Sequence, residues 1–417
     1  MTDRKFLRFV AASGFTNLAD GVSTVAWAWI ASLLTRDALL IALVPVALRL
    51  PWAVFAIPAG LIADRMDRRI LILRMDILRA IAYAASAFAL WTALPLAPAP
   101  ASGLANPLLF GTILVAALVV GAAEVFRDNA AQTMLPSIVP HERLEQANGR
   151  LWSVEMLGNT LVGPAIGAAL IAVALPLPFA MNAGALGLAV WLVAGLAGSF
   201  RPQEPAARNW RVEAAEGFRF LMAAPFLRLL AIVTGIWNLL FQMIVVTLVL
   251  HAQENLQMTA PVYGLVLAGG AAGGILAGLT GDRLVRLLGP ARTTQVTLLI
   301  STLAFFAMPL APGALSLALV LAVFEYAGLA WNIVSVTYRQ RMIPDRLLGR
   351  VNSLYRLLAW GMMPVGLILA GLIVRLAEGP FPRATALTLP LYAAAIGSAI
   401  LVLVCWRALG RGFKGVR

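Results

Sequence analysis

The feature that most constrains this chain is a series of long apolar segments that recurs along its whole length. About 20 apolar residues are what an α-helix needs to cross the hydrocarbon core of a bilayer. Twelve such segments occur, at 6–33, 38–62, 70–95, 107–126, 151–173, 177–199, 225–250, 262–281, 293–311, 314–338, 351–376 and 384–406. Only 12% of the 417 residues are charged, about half the usual share in a soluble protein. We therefore predict an all-α membrane protein with twelve transmembrane helices.

The distribution of basic residues predicts how the spans are oriented. Cytoplasmic loops of membrane proteins are enriched in Lys and Arg. Of the 32 Lys and Arg residues, 27 fall at the termini, in the central linker or in loops on one side of the spans, and only Arg36, Arg375 and Arg383 fall on the other side. Both termini are therefore expected in the cytoplasm, in a bacterial inner membrane. The same bias explains the net charge of +13 without nucleic acid as a partner.

Several kinds of chemistry lack the residues they need. The chain has one cysteine, Cys405, and two histidines, His141 and His251, which argues against a Cys/His metal site. It has no Gly-x-x-x-x-Gly-Lys-Ser/Thr loop for nucleotide phosphates. The acids within the spans are scattered over several helices, whereas a membrane enzyme would cluster them at one depth. We expect neither a metal nor another cofactor, and a proton gradient as the driving force.

The two halves of the chain carry similar loops at equivalent places. Gly60-Leu-Ile-Ala-Asp64-Arg65 follows the second span, and Gly278-Leu-Thr-Gly-Asp282-Arg283 follows the eighth. The longest polar stretch, 201–222, separates the halves and predicts a cytoplasmic linker with a short surface helix. We therefore predict one six-helix bundle at 1–200 and a second at 223–417. Such internal duplication is typical of secondary transporters.

The loop sequences point to a known family. Residues Gly60-Leu-Ile-Ala-Asp64-Arg65-Met-Asp67-Arg68-Arg69 resemble the loop 2–3 signature of the major facilitator superfamily. Asp67 stands where the general pattern has Gly, as in the subfamily of enterobactin exporters and macrolide efflux proteins. The segment from Arg127 to Arg150 resembles the same subfamily. The resemblance covers the whole chain and implies two pseudo-symmetric six-helix bundles, alternating access and a monomer.

This resemblance implies a cytoplasmic gate made of loop charges. Asp64 is expected near Arg350 at the start of span 11, and Asp282 near Arg150 at the start of span 5, because a helix N-terminus stabilises a nearby carboxylate. Gly60 would let spans 2 and 11 pack closely. Further charged residues are assigned to the gate or to a packing network around it: Arg65, Arg68, Arg69, Arg283, Glu124, Arg127 and Glu155. The alternative is that the loop residues are ordinary topogenic charges.

Span 5 is rich in small residues. Gly158, Gly163, Pro164 and Gly167 resemble the antiporter motif of exporters in the superfamily, although Gly158 is one residue further from Gly163 than in the pattern. Small residues let transmembrane helices approach closely. The motif favours export over import, and generic helix packing is the alternative.

Ionisable side chains inside the spans suggest function, because a charge in the bilayer core is costly. Asp20 lies near the middle of span 1 with Asn17 on the same face, and Glu325 lies near the middle of span 10. Each acid is a candidate for proton coupling or substrate binding. The alternative is a satisfied buried pair, for which Arg49 in span 2 is a candidate partner of Asp20.

Two amides in span 7 and an unexpected gap in span 4 complete the candidates. Asn238 and Gln242 are one turn apart at mid-depth and suit either substrate or an interhelical hydrogen bond. Many proton-coupled exporters of the superfamily have a buried Arg in span 4, but no Arg lies between Asn106 and Phe126. Either Arg49 takes that part or the coupling differs.

These features together predict a secondary transporter that exports an amphipathic organic compound, such as a drug, macrolide or siderophore, in exchange for protons. The alternatives are a proton-coupled importer of a small organic solute, a lipid flippase or scramblase on the same fold, and a membrane-embedded enzyme. The small-molecule substrate, protons and the lipid bilayer are the expected partners.

Overall fold

The computed structural model describes residues 4–413, apart from 64, 141–142, 199 and 202–209. Side chains are described within that range except at 57, 61, 145, 210–214, 340, 345–346, 348–350 and 353. The regular elements in these residues are helices, with no β-strand. Backbone groups satisfied within each helix are what a bilayer demands, because lipid offers them no hydrogen-bond partner.

The helices follow the predicted spans closely. In chain order they are α1 (Arg4–Leu34), α2 (Ala38–Ala63), α3 (Arg68–Thr92), α4 (Pro107–Met134), α5 (Leu144–Glu155), α6 (Gly163–Val173), α7 (Leu177–Ala194), α8 (Trp210–Ala223), α9 (Pro225–Leu250), α10 (Ala260–Ala307), α11 (Ala314–Met342), α12 (Asp345–Trp360), α13 (Met363–Ala377), α14 (Arg383–Ala386) and α15 (Leu389–Gly412). A π-helical segment, Met156–Val162, joins α5 to α6. Helix α8 is the short helix predicted in the linker.

Nine helical stretches of the described chain are long and apolar enough to cross a membrane. Helices α1 and α3 are not among them, although they have 31 and 25 residues, because Asp20, Asp76 and Arg79 lower their hydropathy. One of the nine, Ala260–Leu310, has 51 residues, which is about twice the length one span needs. If Ala260–Leu310 is counted as two spans and α1 and α3 are added, the described helices account for the twelve predicted spans.

Helix α10 divides at Gly289, which has φ 74° and ψ 158°. This conformation is essentially restricted to glycine. The following Pro290 favours the same extended ψ, because its ring excludes the helical conformation from the preceding residue. Two spans are therefore joined without a loop, as the separate apolar segments 262–281 and 293–311 predict.

Gly289→Ala is expected to destabilise the protein by about 1–3 kcal/mol, because Ala must adopt a strained φ there. A Cβ at Gly289 would meet no described heavy atom within 4 Å, so the loss would come from the backbone alone. Thermal unfolding in detergent measures it, with Gly187→Ala in α7 as the control, since a Cβ is equally free there. Equal melting temperatures for the two variants would contradict this interpretation.

Three spans differ in detail from the prediction. Helix α4 continues to Met134 rather than ending at Phe126. The fifth span begins at Leu144 rather than at 151 and contains the π-helical segment. The eleventh span is interrupted between Trp360 and Met363. Single-turn π-helical insertions are rare and often occur at functional sites.

The chain forms two compact units. The N-terminal unit comprises Met1–Ala207 with Ala260–Gly264, and the C-terminal unit comprises Arg208–Thr259 with Leu265–Arg417. In the first, Phe9, Ile72 and Met134 belong to one buried cluster from α1, α3 and α4.

An aromatic triad lies in the core of the C-terminal unit. Phe226, Tyr338 and Phe413 pack edge to face, with ring centroids between 4.7 and 5.3 Å apart. Edge-to-face packing is a favourable arrangement for aromatic pairs. The triad ties the start of α9 to the ends of α11 and α15.

Candidate functional site

A seam of glycines sets the position of Asp20 in the N-terminal unit. A Cβ placed on Gly21 would lie 2.7 Å from the carbonyl oxygen and 2.9 Å from the Cα of Asn159 in the π-helical segment. A Cβ on Gly163 would lie 2.6 Å from the Cα of Gly21, and one on Gly158 would lie 3.0 Å from the backbone nitrogen of Leu18. Helix α1 therefore meets the fifth span backbone to backbone, as small residues permit.

The seam includes the glycines of the predicted antiporter-like motif. A Cβ on Gly167 would be 3.1 Å from the carbonyl carbon of Val22, and Pro164 is buried next to it. On another side of α1, buried Asn182 of α7 donates to the carbonyl oxygen of Ala19 at 2.9 Å. The turn that carries Asp20 is thus fixed by both α7 and the fifth span.

Asp20 begins a chain of alternating charges that runs through α3 and α4. Nη2 of Arg79 donates to Oδ1 of Asp20. Nη1 of Arg79 lies 3.6 Å from Oδ1 of Asp76, and Nε of Arg127 lies 3.7 Å from the same oxygen. Nη1 of Arg127 donates to Oδ1 of Asp128 at 3.2 Å. Three carboxylates and two guanidinium groups therefore alternate along one line, which we call the ion-pair chain.

The two ends of the ion-pair chain are accessible and its middle is sealed. The side chains of Arg79 and Asp76 have no exposed surface, whereas those of Asp20 and Asp128 are 19% and 33% exposed. The exposed side-chain surface of the ion-pair chain therefore lies mainly at Asp20 and Asp128. Arg79 would keep Asp76 as a neighbour if the charge of Asp20 were neutralised.

The middle of the ion-pair chain is incompletely hydrogen-bonded. Both carboxylate oxygens of Asp76, Nε and Nη1 of Arg79, and Nε of Arg127 are buried without a hydrogen-bond partner. A buried unsatisfied polar group costs about 1–3 kcal/mol. A cluster with unused donors and acceptors next to one another can adopt a second arrangement of its ion pairs.

The acid of the C-terminal unit has a different environment. Glu325 in α11 is half-buried and packs against glycines of α10: its Cγ would lie 3.9 Å from a Cβ on Gly270, and its Cβ 4.0 Å from one on Gly274. Its carboxylate has no ion pair or hydrogen bond with any described residue. Glu325 is therefore available to a proton or a ligand.

The chain's relatives agree with this architecture. The model of the Major Facilitator Superfamily matches residues 9–367. The chain belongs to the major facilitator superfamily. Enterobactin exporter EntS from Shigella boydii and from Escherichia coli O81 are each 28% identical to it over 257 residues. The match covers 60% of this chain and 60% of either relative, so the chain spans less than two thirds of their length.

Solved structures give the fold of this major facilitator. A mutant of the nucleoside transporter NupG matches with a TM-score of 0.78 and 13% identity, over 97% of this chain and 99% of that one. A bacterial homologue of the lysosomal transporter Spinster matches with a TM-score of 0.76 and 16% identity, over 100% and 99%. A bacterial homologue of ferroportin matches with 0.75 and 15%, over 99% and 100%. The predicted all-α membrane fold is confirmed.

The partner of Asp20 is Arg79, not Arg49. The side chain of Arg49 is exposed on α2, whereas Arg79 projects from α3 into the unit beside α1. Arg127, which was assigned to a loop-side gate, is a buried arginine of α4, because that helix extends eight residues beyond the predicted end. A buried arginine in span 4 is therefore present in this major facilitator.

Other polar residues of the N-terminal unit have local roles. Asn17 donates to the carbonyl oxygen of Ser13 at 2.8 Å within α1. Glu124 is half-buried in α4 and Glu155 is exposed in α5, and neither forms an ion pair within 4 Å in the described part of the chain. The exposed Arg150 lies in α5 with Glu155. Their assignment to a gate or packing network stays a prediction.

The loop 2–3 signature is anchored within its own unit. Asp67 caps α3 by accepting hydrogen bonds from the backbone of Arg69 at 3.0 Å and of Ile70 at 3.2 Å, and its other oxygen accepts from Phe200. The guanidinium of Arg69 donates to the carbonyl oxygens of Val193 and Ala194 at the end of α7. Asp is a preferred N-cap residue, which gives Asp67 a structural role.

The remaining gate residues are only partly described. Asp64 and the side chain of Arg350 lie outside the described residues. A Cβ on Gly60 would meet no described atom within 4 Å, and the close packing of Gly60 against span 11 stays a prediction. The other charged members lie at the surface or half-buried: Arg65, Arg68, Asp282 and Arg283.

The amides of span 7 differ from each other. Nδ2 of Asn238 donates to the carbonyl oxygen of Ala359 in α12 at 2.9 Å in a buried position. This is the interhelical bond that was the alternative to substrate binding. Gln242 is also buried but makes no hydrogen bond with a described residue.

A polar cluster around Tyr355 is absent from the sequence-based candidates. Its buried hydroxyl lies 2.7 Å from Oγ1 of Thr234 and 3.0 Å from Oγ of Ser335, and it donates to the carbonyl oxygen of Leu230. The guanidinium of Arg339 lies 3.8 Å from the centre of its ring. The cluster joins helices α9, α11 and α12. The spacing of these residues in the sequence does not predict that they meet.

An ion cluster at the other end of the C-terminal unit was also missed. Nε of Arg383 lies 2.7 Å from Oε2 of Glu254, and Nη2 lies 3.1 Å from Oε1. Nη1 of Arg383 contacts Glu378. A planar guanidinium is suited to holding a carboxylate through two parallel bonds, so Arg383 ties the ends of α9 and α13 to α14.

Proposed function

We propose that this protein exports an amphipathic organic compound in exchange for protons, by alternating access, from the bacterial inner membrane with both termini in the cytoplasm. The compound belongs to the range of drugs, macrolides and siderophores, and its export confers resistance if it is toxic. The named function of the EntS relatives supports export, and the 27 basic residues on one side of the spans support the orientation.

The observation that carries the proposal is the position of Asp20 at the accessible end of the ion-pair chain. Proton entry at Asp20 would remove the partner of Arg79, which would turn to Asp76, already 3.6 Å away. Because Asp20 lies in the turn packed on the glycine seam, a change in its pairing would alter the force on α1 against the fifth span. Protonation could thus bias one orientation of the transporter, and substrate the other.

Glu325 would supply a second titratable group, one in each half of the chain. Its carboxylate lacks a cation among the described residues, so it would take up a proton or a ligand without first breaking an ion pair. We assign Asp20 to coupling and Glu325 to coupling or substrate binding. The transporter would act as a monomer without a cofactor, driven by the proton gradient.

Everted membrane vesicles give the direct test. Respiring vesicles that contain the protein are expected to accumulate a compound from a panel of dyes, macrolides and catecholate siderophores, and to lose it when nigericin collapses the pH gradient. Vesicles without the protein are the control. Accumulation in right-side-out vesicles alone would indicate an importer, and movement of fluorescent phospholipid alone would indicate a flippase or scramblase.

A further inference from the structure

Three aromatic rings with nearly parallel planes pack against one another next to Glu325 in the sequence. Trp237 and Phe241 are one turn apart on α9, and Phe324 is the residue before Glu325 on α11. The ring centroids of Trp237 and Phe324 lie 5.2 Å apart with planes 7° from parallel. Phe241 lies 5.5 Å from Trp237 and 5.3 Å from Phe324, at 20° and 24°. We call these three residues the aromatic platform.

The aromatic platform has an open part. Phe324 is fully buried, whereas Trp237 and Phe241 are half-buried. The six-membered ring of Trp237 comes close to Gly328, where a Cβ would lie 3.2 Å from Cη2. A larger residue at position 328 would displace the indole, so the absence of a side chain at Gly328 allows the Trp237 ring to lie there.

Glu325 follows Phe324 on α11 and packs on α10. Gly328 is three residues beyond Glu325 and so shares its side of α11, and the Trp237 ring rests there. On the other flank, the Glu325 side chain packs on Gly270 and Gly274, which offer it no hydrogen-bonding side chain. A carboxylate without a partner and the open rings of Trp237 and Phe241 thus occupy neighbouring positions within one unit.

This pairing of groups selects for one charge type. Aromatic faces attract cations that come within about 6 Å of the ring centre, and an unpaired carboxylate at membrane depth attracts them as well. We propose that Glu325 and the aromatic platform bind a lipophilic organic cation, such as a phosphonium or quaternary ammonium carrying apolar groups. This rests on the proposed function and narrows its substrate to organic cations, which excludes anionic catecholates from this subsite.

Tetraphenylphosphonium and tetraphenylborate test the proposal, because they share size and shape and differ in the sign of their charge. Binding of radiolabelled tetraphenylphosphonium and, in separate samples, of radiolabelled tetraphenylborate to the purified full-length protein would be measured by scintillation proximity. We expect saturable binding of the cation and no saturable binding of the anion. Glu325→Gln and Trp237→Leu should each weaken binding at least tenfold, and Glu325→Asp and Trp237→Phe, which keep the charge and the ring, should weaken it less.

The controls separate a site from a loss of folding. Trp191→Leu removes a tryptophan exposed on α7 and should bind like the wild type, and size-exclusion profiles report folding of every variant. Absent cation binding, wild-type affinity in Glu325→Gln and Trp237→Leu, or saturable binding of tetraphenylborate by the wild type would each overturn the proposal. If the vesicles still accumulate another compound in that case, the proposed function stands without this subsite. If the cation binds but no compound accumulates in response to the gradient, the subsite proposal stands and the proposed export is refuted.

Discussion

Asp20→Asn is expected to abolish uphill transport in proteoliposomes while leaving exchange of substrate across the membrane intact. Asn has the shape of protonated Asp but cannot change its charge, so a pH gradient would have no group to act on at this end of the ion-pair chain. Exchange needs reorientation of the loaded transporter and no net proton movement. The measurements are accumulation under an imposed pH gradient and counterflow at equal pH.

The matched control for this variant is Asp37→Asn. Asp37 accepts a hydrogen bond from the backbone of Leu39 at 2.9 Å at the start of α2, and Asn caps a helix about as well as Asp. It should transport like the wild type. If Asp20→Asn still concentrates substrate, Asp20 does not couple. A loss of both uphill transport and counterflow would assign Asp20 a structural role, as the anchor of buried Arg79.

Gly21→Ala is expected to destabilise the N-terminal unit strongly. The new methyl group would meet the backbone of Gly158 and Asn159, which cannot move aside as a flexible side chain can. Overpacking of this kind typically costs about 1–3 kcal/mol. It would also displace α1 and with it Asp20, so transport should fall even where the protein remains folded.

Gly184→Ala in α7 is the control for the seam. A Cβ there meets no described atom within 4 Å, and Ala favours a helix over Gly by up to about 1 kcal/mol. Its melting temperature in detergent should equal or exceed that of the wild type. A Gly21→Ala protein as stable and active as the control would show that α1 and the fifth span are not tightly packed in the working protein.

Hydropathy and loop charge predicted the spans because each transmembrane helix must be long enough and apolar enough to cross the bilayer. These two properties can be seen in the sequence of each helix alone. Helix α4 shows the limit of prediction from hydropathy. Its apolar run ends at Phe126, just before Arg127, but the helix continues because Asp76 and Asp128 pair with the Arg127 guanidinium. The sequence cannot show that a charge is paired by a residue from another helix.

Individual residues of the candidate site could be predicted from the sequence, but which of them contact one another could not. Helical periodicity places Asp20 and Asn17 on one face of α1, yet it does not say whether α2 or α3 lies opposite. Arg49 of α2 was the candidate partner of Asp20, whereas the structure places Arg79 of α3 there. The Tyr355 cluster and the Arg383 cluster join helices far apart in the chain. Glycine patterns were more informative, since a small residue is needed wherever backbones approach closely.

Proton movement driven by substrate is the most direct measurement of the central account. Proteoliposomes with trapped pyranine and equal pH on both sides would receive a compound that the vesicle assay identifies. Antiport predicts that the interior pH rises as substrate enters and protons leave, and that Asp20→Asn abolishes the rise. A fall in interior pH would indicate symport, no change would indicate uniport, and either result would contradict proton-coupled export through Asp20.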